Sequence, residues 1–311
     1  MRNALQRALV GLLAAGVLAV PAVAQGQVPE QRSASPQASP ATYRYPVVDR
    51  DRRMGRDLDV VGLTADRRLV RFDAANPRRT RDIGWVRGLV GDQMLVGIDH
   101  RVQDGKLYGV GNAGGIYTIS SRSAVATKVS QLTVALSGTS FGVDFNPAAN
   151  RLRVISDTGQ NLRHNIDDPM GLPAAGTTAV DGTLTYPPAT AAATGVSGAA
   201  YTNSDLDAST ATTLLDVDTN LDQVAIQSPA NAGSLAPTGK LLVDVGPGAG
   251  FDIYSRLRDG RVQGNTGYAT LQLGGRAAFF QISLLTGQAN PVGFFPVRNQ
   301  VTDIAIPLDQ R

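Results

Sequence analysis

The chain has 311 residues, with 34 Gly, 17 Pro, no Cys and 18% charged residues. The missing cysteines exclude a disulfide framework, a thiol nucleophile, a zinc ribbon and an iron–sulfur cluster. A 42% hydrophobic content with a formal charge of +3 excludes a disordered chain and allows one large domain or two ordinary ones.

In chain order, the first predicted element is a targeting segment. Arg2 and Arg7 precede an uncharged run from Ala8 to Val20, and Pro21 then leads into Ala22-Val23-Ala24. This pattern predicts a secretory signal over residues 1–24, cleaved after Ala24. As a helix the apolar run covers about 20 Å, short of a bilayer core of about 30 Å, so no transmembrane anchor is expected in the mature chain. The mature protein is therefore expected outside the cytoplasm, periplasmic or secreted. Residues 25–57 follow as a Pro/Ser/Arg-rich linker with little apolar pattern, expected to be disordered.

Charge is unevenly spread. Residues 25–87 carry +5 and residues 88–311 carry −4, so the mature chain is near +1. Asp interrupts the Arg cluster, and no basic stripe with interleaved aromatics is present. Nucleic acid is not an expected partner.

From Leu58 to the C-terminus the reading is a single all-β domain. Short β-branched or aromatic runs alternate with Gly, Asn, Asp and Pro turns, without helical periodicity. The runs repeat. Gly97-Ile-Asp99, Gly142-Val-Asp144, Gly250-Phe-Asp252 and Val301-Thr-Asp303 mark strand starts, and Gly198-Ala-Ala200 is a fifth with Ala in place of Asp. The spacings along this series are 45, 56, 52 and 51 residues, which suits four-stranded propeller blades. Phase adds a constraint. Val60 to Gly84 reads as three strands lacking such a start, and the last strand from Val301 is a start with nothing after it. Together they make one blade, so the expectation is a five-bladed β-propeller closed by its C-terminal strand. Six blades or a β-solenoid are the alternatives.

The stretch 137–163, with Asp144-Phe-Asn-Pro147 and Ser156-Asp-Thr-Gly-Gln-Asn-Leu-Arg163, resembles a bacterial secreted family known as domain of unknown function 4394. Gly62 to Asp73, Leu95 to Asp99, Lys106 to Gly111, Ala179 to Gly182 and Pro229 to Gly233 are also similar to it. The resemblance runs from about Val60 to Ile306 and implies fold and secretion, but it transfers no site. His100, where the family usually has Phe, and the insertion around residues 207–210 depart from the pattern.

Four sets of residues invite chemistry. Gly138-Thr-Ser140-Phe-Gly142 matches the nucleophile-elbow pattern, but it leads into a strand start in a chain with only two His, so an ordinary turn is favoured. His100 and His164 are too few for a metal site and read as surface or hydrogen-bonding residues. Asp216-Val-Asp-Thr-Asn-Leu-Asp222 alternates oxygen ligands as a calcium loop does, yet lacks its Gly and Glu. It aligns with the turns after Ile119 and Ile282, between outer strands, and a turn is favoured.

The fourth set is Asp99, Asp144, Asp252 and Asp303, which would recur at one height around the channel. Facing inward, these carboxylates would need a cation such as calcium, raised pKa values or hydrogen-bond donors. Turned sideways, each would accept backbone N–H bonds from the next blade, the arrangement favoured because buried polar groups are usually satisfied locally. No catalytic residue and no organic cofactor is assigned. The functional expectation is a monomeric binding or interaction scaffold. The alternative is a metal-dependent hydrolase or lactonase-like enzyme using the channel carboxylates.

Overall fold

The computed structural model describes residues 58–310 except Ala208. The signal segment at 1–24 and the linker at 25–57 lie outside the described residues. Strands are numbered along the chain, and they form five antiparallel four-stranded sheets. Blade one combines β1 (Asp59–Thr64), β2 (Arg68–Asp73) and β3 (Asn76–Trp85) with the last strand, β20 (Val301–Ala305). Blade two is β4 (Leu95–His100), β5 (Leu107–Gly111), β6 (Gly115–Ile119) and β7 (Ala126–Gln131). Blade three is β8 (Phe141–Asn146), β9 (Arg151–Ser156), β10 (Asn161–Asn165) and β11 (Thr177–Val180). Blade four is β12 (Val196–Tyr201), β13 (Leu214–Asp218), β14 (Gln223–Gln227) and β15 (Leu235–Lys240). Blade five is β16 (Gly246–Arg258), β17 (Arg261–Leu273), β18 (Arg276–Ile282) and β19 (Ala289–Phe294).

The innermost strands β20, β4, β8, β12 and β16 contact one another in sequence and return to β20, which makes a five-bladed β-propeller. Blade one joins the two ends of the domain as the phase argument requires. Val61 pairs with Ala305 and Leu63 with Asp303, antiparallel. Strands near the axis are sandwiched between blades, so β9 and β12 are buried along their whole length. Outer strands have a solvated face, and β7 alternates buried or half-buried with exposed residues.

Five hydrophobic clusters fill the five seams between blades. The seam where blade five meets blade one is the most aromatic. Phe72 makes edge contacts with Phe279 and Phe295 at centroid distances of 5.1 and 5.0 Å, and Val301, Ile304 and Ile306 pack into the same cluster.

The repeated Gly-x-Asp start has a steric cause. At Gly142 a Cβ would sit 2.7 Å from the backbone nitrogen of Ala199 on the next inner strand, and at Gly250 it would run into the Cα of Asp303. Inner strands crowd at the axis, and only glycine lets the backbones pass this closely. No helix among the described residues is long and apolar enough to cross a membrane.

Candidate cation site in the channel

The repeated carboxylates turn sideways to accept backbone N–H bonds, as favoured, and three of them also face one another. Each inner strand offers one side-chain acceptor to a backbone N–H of the next blade. Ile98 donates to Asp303 at 2.7 Å, Phe145 to Asp99 at 2.8 Å and Tyr201 to Asp144 at 3.3 Å. Ile306 donates to Asp252 at 2.6 Å. In blade four, where Ala200 replaces Asp, Ser197 takes over and accepts from Ala249 at 3.2 Å. These bonds run around the whole ring. Ser197 was not among the residues the repeat singled out, because it stands three positions before the Ala and belongs to no periodic pattern.

Asp99, Asp144 and Asp252 also converge. Each can bring one carboxylate oxygen within 4.8 Å of the others. All three are at least nine-tenths buried. Asp303 stands outside this group. Its Cα lies beside Gly250, two residues before Asp252, so it sits nearer the strand-start end of the channel. Inter-blade bonding has the same offset: Asp252 accepts from Ile306, three residues beyond Asp303.

Burial pushes all four carboxyls up. Asp252 reaches about 6, held there against N–H bonds from Ile306 and Ile253. Asp99 and Asp144 are raised well above the ordinary range by burial and then by the facing carboxylates. Burial likewise raises Asp303, with Ile98 and Ile304 opposing it. The three converging residues line a cavity of about 10 Å³ that also touches His100, Ser204, Tyr254 and Leu308. That is room for one water or one monatomic ion. No Lys or Arg lines it.

The other candidates resolve differently. Ser140 lies in the loop before β8, without the strand–turn–helix setting of an elbow, and no His bonds to it. His164 is buried between Ser130 and Thr178, at 2.8 and 2.9 Å, so its hydrogen-bonding role holds. His100 differs from its expected surface or hydrogen-bonding role. It is buried and neither ring nitrogen makes a hydrogen bond. Burial lowers its pKa to about 4, against a smaller opposing effect of the Gly105 peptide.

In the 216–222 run, Asp218 accepts from Asn220 and Leu221 at 3.0 and 2.9 Å, and Asp222 accepts from Val245 at 3.1 Å. The Asp218 bonds are turn chemistry, whereas the Asp222 bond spans 23 residues and ties the turn to the start of β16. The turn joins the second and third strands of its blade, β13 and β14, not the outer pair that the alignment suggested. Asp216 itself is fully buried, with neither oxygen hydrogen-bonded. Burial raises its pKa strongly, against the positive charge of Arg153.

Arg153 was not expected to matter. It is 2% exposed and ties blade three to blade four. Its guanidinium donates to Asn161 (2.7 Å), Asp181 (2.6 Å), Asn231 (2.7 Å) and the Tyr201 hydroxyl (3.2 Å).

Fold and site together define a five-bladed β-propeller with a carboxylate cluster in its channel. The chain belongs to the family described as Domain of unknown function (DUF4394), which matches it over residues 68–305. No curated protein matches the chain. Among solved structures it is similar to a protein of unknown function from Bacteroides thetaiotaomicron VPI-5482, at 12% identity and a TM-score of 0.41. The match covers 80% of this chain and 64% of that one. An auxiliary nutrient binding protein from the same organism has 13% identity and a TM-score of 0.35, covering 79% and 53%. The Malassezia sympodialis allergen Mala s 1 has 11% identity and a TM-score of 0.38, covering 68% and 71%. The chain thus spans less than two thirds of the first two structures.

Proposed function

We propose that this protein is an extracytoplasmic binding propeller whose channel holds one hard divalent cation, calcium by ligand chemistry, on Asp99, Asp144 and Asp252. One observation carries the reading: three buried carboxylates meet within 4.8 Å with no Lys or Arg among the residues that line their cavity. Calcium bonds oxygen at about 2.3–2.6 Å, so ligands of one ion lie no more than about 5 Å apart. The ligands are all carboxylate oxygens, which suits a hard ion rather than zinc or copper. Secretion, expected from residues 1–24, favours the same ion, because extracellular calcium modules work at about 0.1–1 mM. A cavity of about 10 Å³ argues against the hydrolase alternative, since no organic substrate fits beside the ion. The ring closes within one chain, so a monomer completes the site.

The test is thermal unfolding with and without calcium at two pH values. In the metal-free protein these carboxyls have folded pKa values above the unfolded value of about 3.9, so their contribution to stability falls as pH rises through the interval between the two. Asp252, at about 6, places part of that loss below neutrality. Calcium stabilises the ionised form and removes the loss. At about pH 7.5 and about 100 times Kd, the expected rise in Tm is roughly 5–10 °C, shrinking at about pH 5 as protons compete. Asp144→Asn keeps an oxygen for the Tyr201 N–H but removes a charge, and it should abolish the rise. No rise at the higher pH in the wild type contradicts the proposal.

A further inference from the structure

The opposite mouth of the channel, at the strand-start end, is chemically distinct. It holds a cavity of about 250 Å³ bordered by Thr139, Ser140, Thr302, Gln272, Met94 and Pro247, among others. None of its lining residues is charged. An ion entering it would lose hydration with no partner, which is costly.

Its polar groups are biased toward accepting. Thr139 spends its hydroxyl proton on Asp157 at 2.6 Å, and Thr302 donates to the Leu63 carbonyl at 3.2 Å. Each therefore has only oxygen lone pairs left for a ligand. Both residues are exposed at this mouth. The Ser140 hydroxyl and the Gln272 amide make no hydrogen bond to the described protein, and both can donate and accept. Met94 and Pro247 add apolar surface. At about 250 Å³ the cavity falls just below the range of about 300–1,000 Å³ for organic-ligand pockets, which limits an occupant to about the size of one sugar ring.

We infer that this mouth binds a small neutral polyol, a monosaccharide ring by size. Its hydroxyls donate to Thr139 and Thr302 and exchange hydrogen bonds with Ser140 and Gln272, and its C–H face lies on Met94 and Pro247. The inference rests on the binding reading but not on the channel cation.

Calorimetric titration of the full mature chain with D-glucose, D-galactose and myo-inositol tests it, each up to about 50 mM, enough for a weak site. At least one is expected to bind saturably in the millimolar range. Gln272→Ala should weaken it at least tenfold, and D-glucuronate, which is charged, should bind more weakly than D-glucose. Ser140→Ala, the milder change, should weaken it several-fold. Absence of saturable binding by all three overturns the inference, as does equal binding by the Gln272→Ala protein with unchanged Tm. Repeating the titration in EDTA and with Asp144→Asn separates the sites. Sugar binding should persist in both, and its loss in either also contradicts the inference. Sugars failing while calcium binds removes the polyol site alone.

Discussion

Arg153→Ala is expected to cost about 3–5 kcal/mol of stability, the range for removing one partner of a buried charged network. For a domain of this size that is a fall in Tm of roughly 6–20 °C. The side chain is 2% exposed and serves four acceptors in two blades. Truncation leaves Asn161, Asn231 and the Tyr201 hydroxyl without that donor, and it withdraws the positive charge that opposes the raised pKa of Asp216. Asp181 is the least affected, because Arg163 also reaches it at 3.2 Å. Arg153→Lys should recover little, since an ammonium cannot present the planar fork that these acceptors surround. Urea unfolding of the three proteins measures both differences. A loss under 1 kcal/mol for Arg153→Ala would show that the seam between blades three and four depends on its apolar contacts alone.

Deleting residues 301–311 is expected to abolish cooperative unfolding altogether. Val301, Ile304 and Ile306 are each at most 3% exposed. Burying three such side chains is worth about 5–9 kcal/mol, which matches the whole stability of an ordinary domain. The deletion also removes Asp303, which accepts from Ile98, and the Ile306 N–H that holds Asp252. Two links of the inter-blade ring break together, and the aromatic seam around Phe72 opens. Ile304→Ala is the graded version, with an expected cost of about 2–5 kcal/mol. A truncated protein that melts at the wild-type temperature would refute closure by β20.

Much of this fold is written in short motifs. Gly-x-Asp recurs because the inner strands crowd at the axis, so the steric demand at Gly142 and Gly250 leaves a visible mark. The split blade is equally legible, because three strands without a start and one start without strands have only one economical pairing. What the motifs do not carry is the offset between neighbouring inner strands. Asp303 looks equivalent to Asp252 along the chain, yet it sits nearer the strand-start end, leaving three carboxylates in the cluster. That offset is fixed by packing between blades, not by any local pattern.

The same reason hides Arg153 and Ser197. One stands in an unremarkable strand and binds residues as far away as Asn231, and the other substitutes for an absent Asp through a different register. His100 misled in the opposite direction. A polar residue after a strand-start Asp reads as surface or hydrogen-bonding, yet His100 is buried with neither ring nitrogen bonded. By sequence the 216–222 run reads one strand too far out, since Asp-rich turns look alike wherever they fall in a blade.

The channel carboxylates are where fold and proposed function meet, and Asn substitutions separate their two roles. Asn at position 99 or 144 retains an oxygen for the inter-blade N–H bond while losing the charge that a cation requires, though at 99 it also gives up the bond that the second Asp99 oxygen accepts from the His100 N–H. The decisive measurement is a calorimetric calcium titration of the wild type and of Asp99→Asn/Asp144→Asn at about pH 7.5, well above the Asp252 value of about 6. One calcium per chain in the wild type, and none in a folded double variant, is the result this account predicts. No binding by the wild type, or unchanged binding by the variant, would contradict it and leave the carboxylates with only their hydrogen-bonding role in the ring.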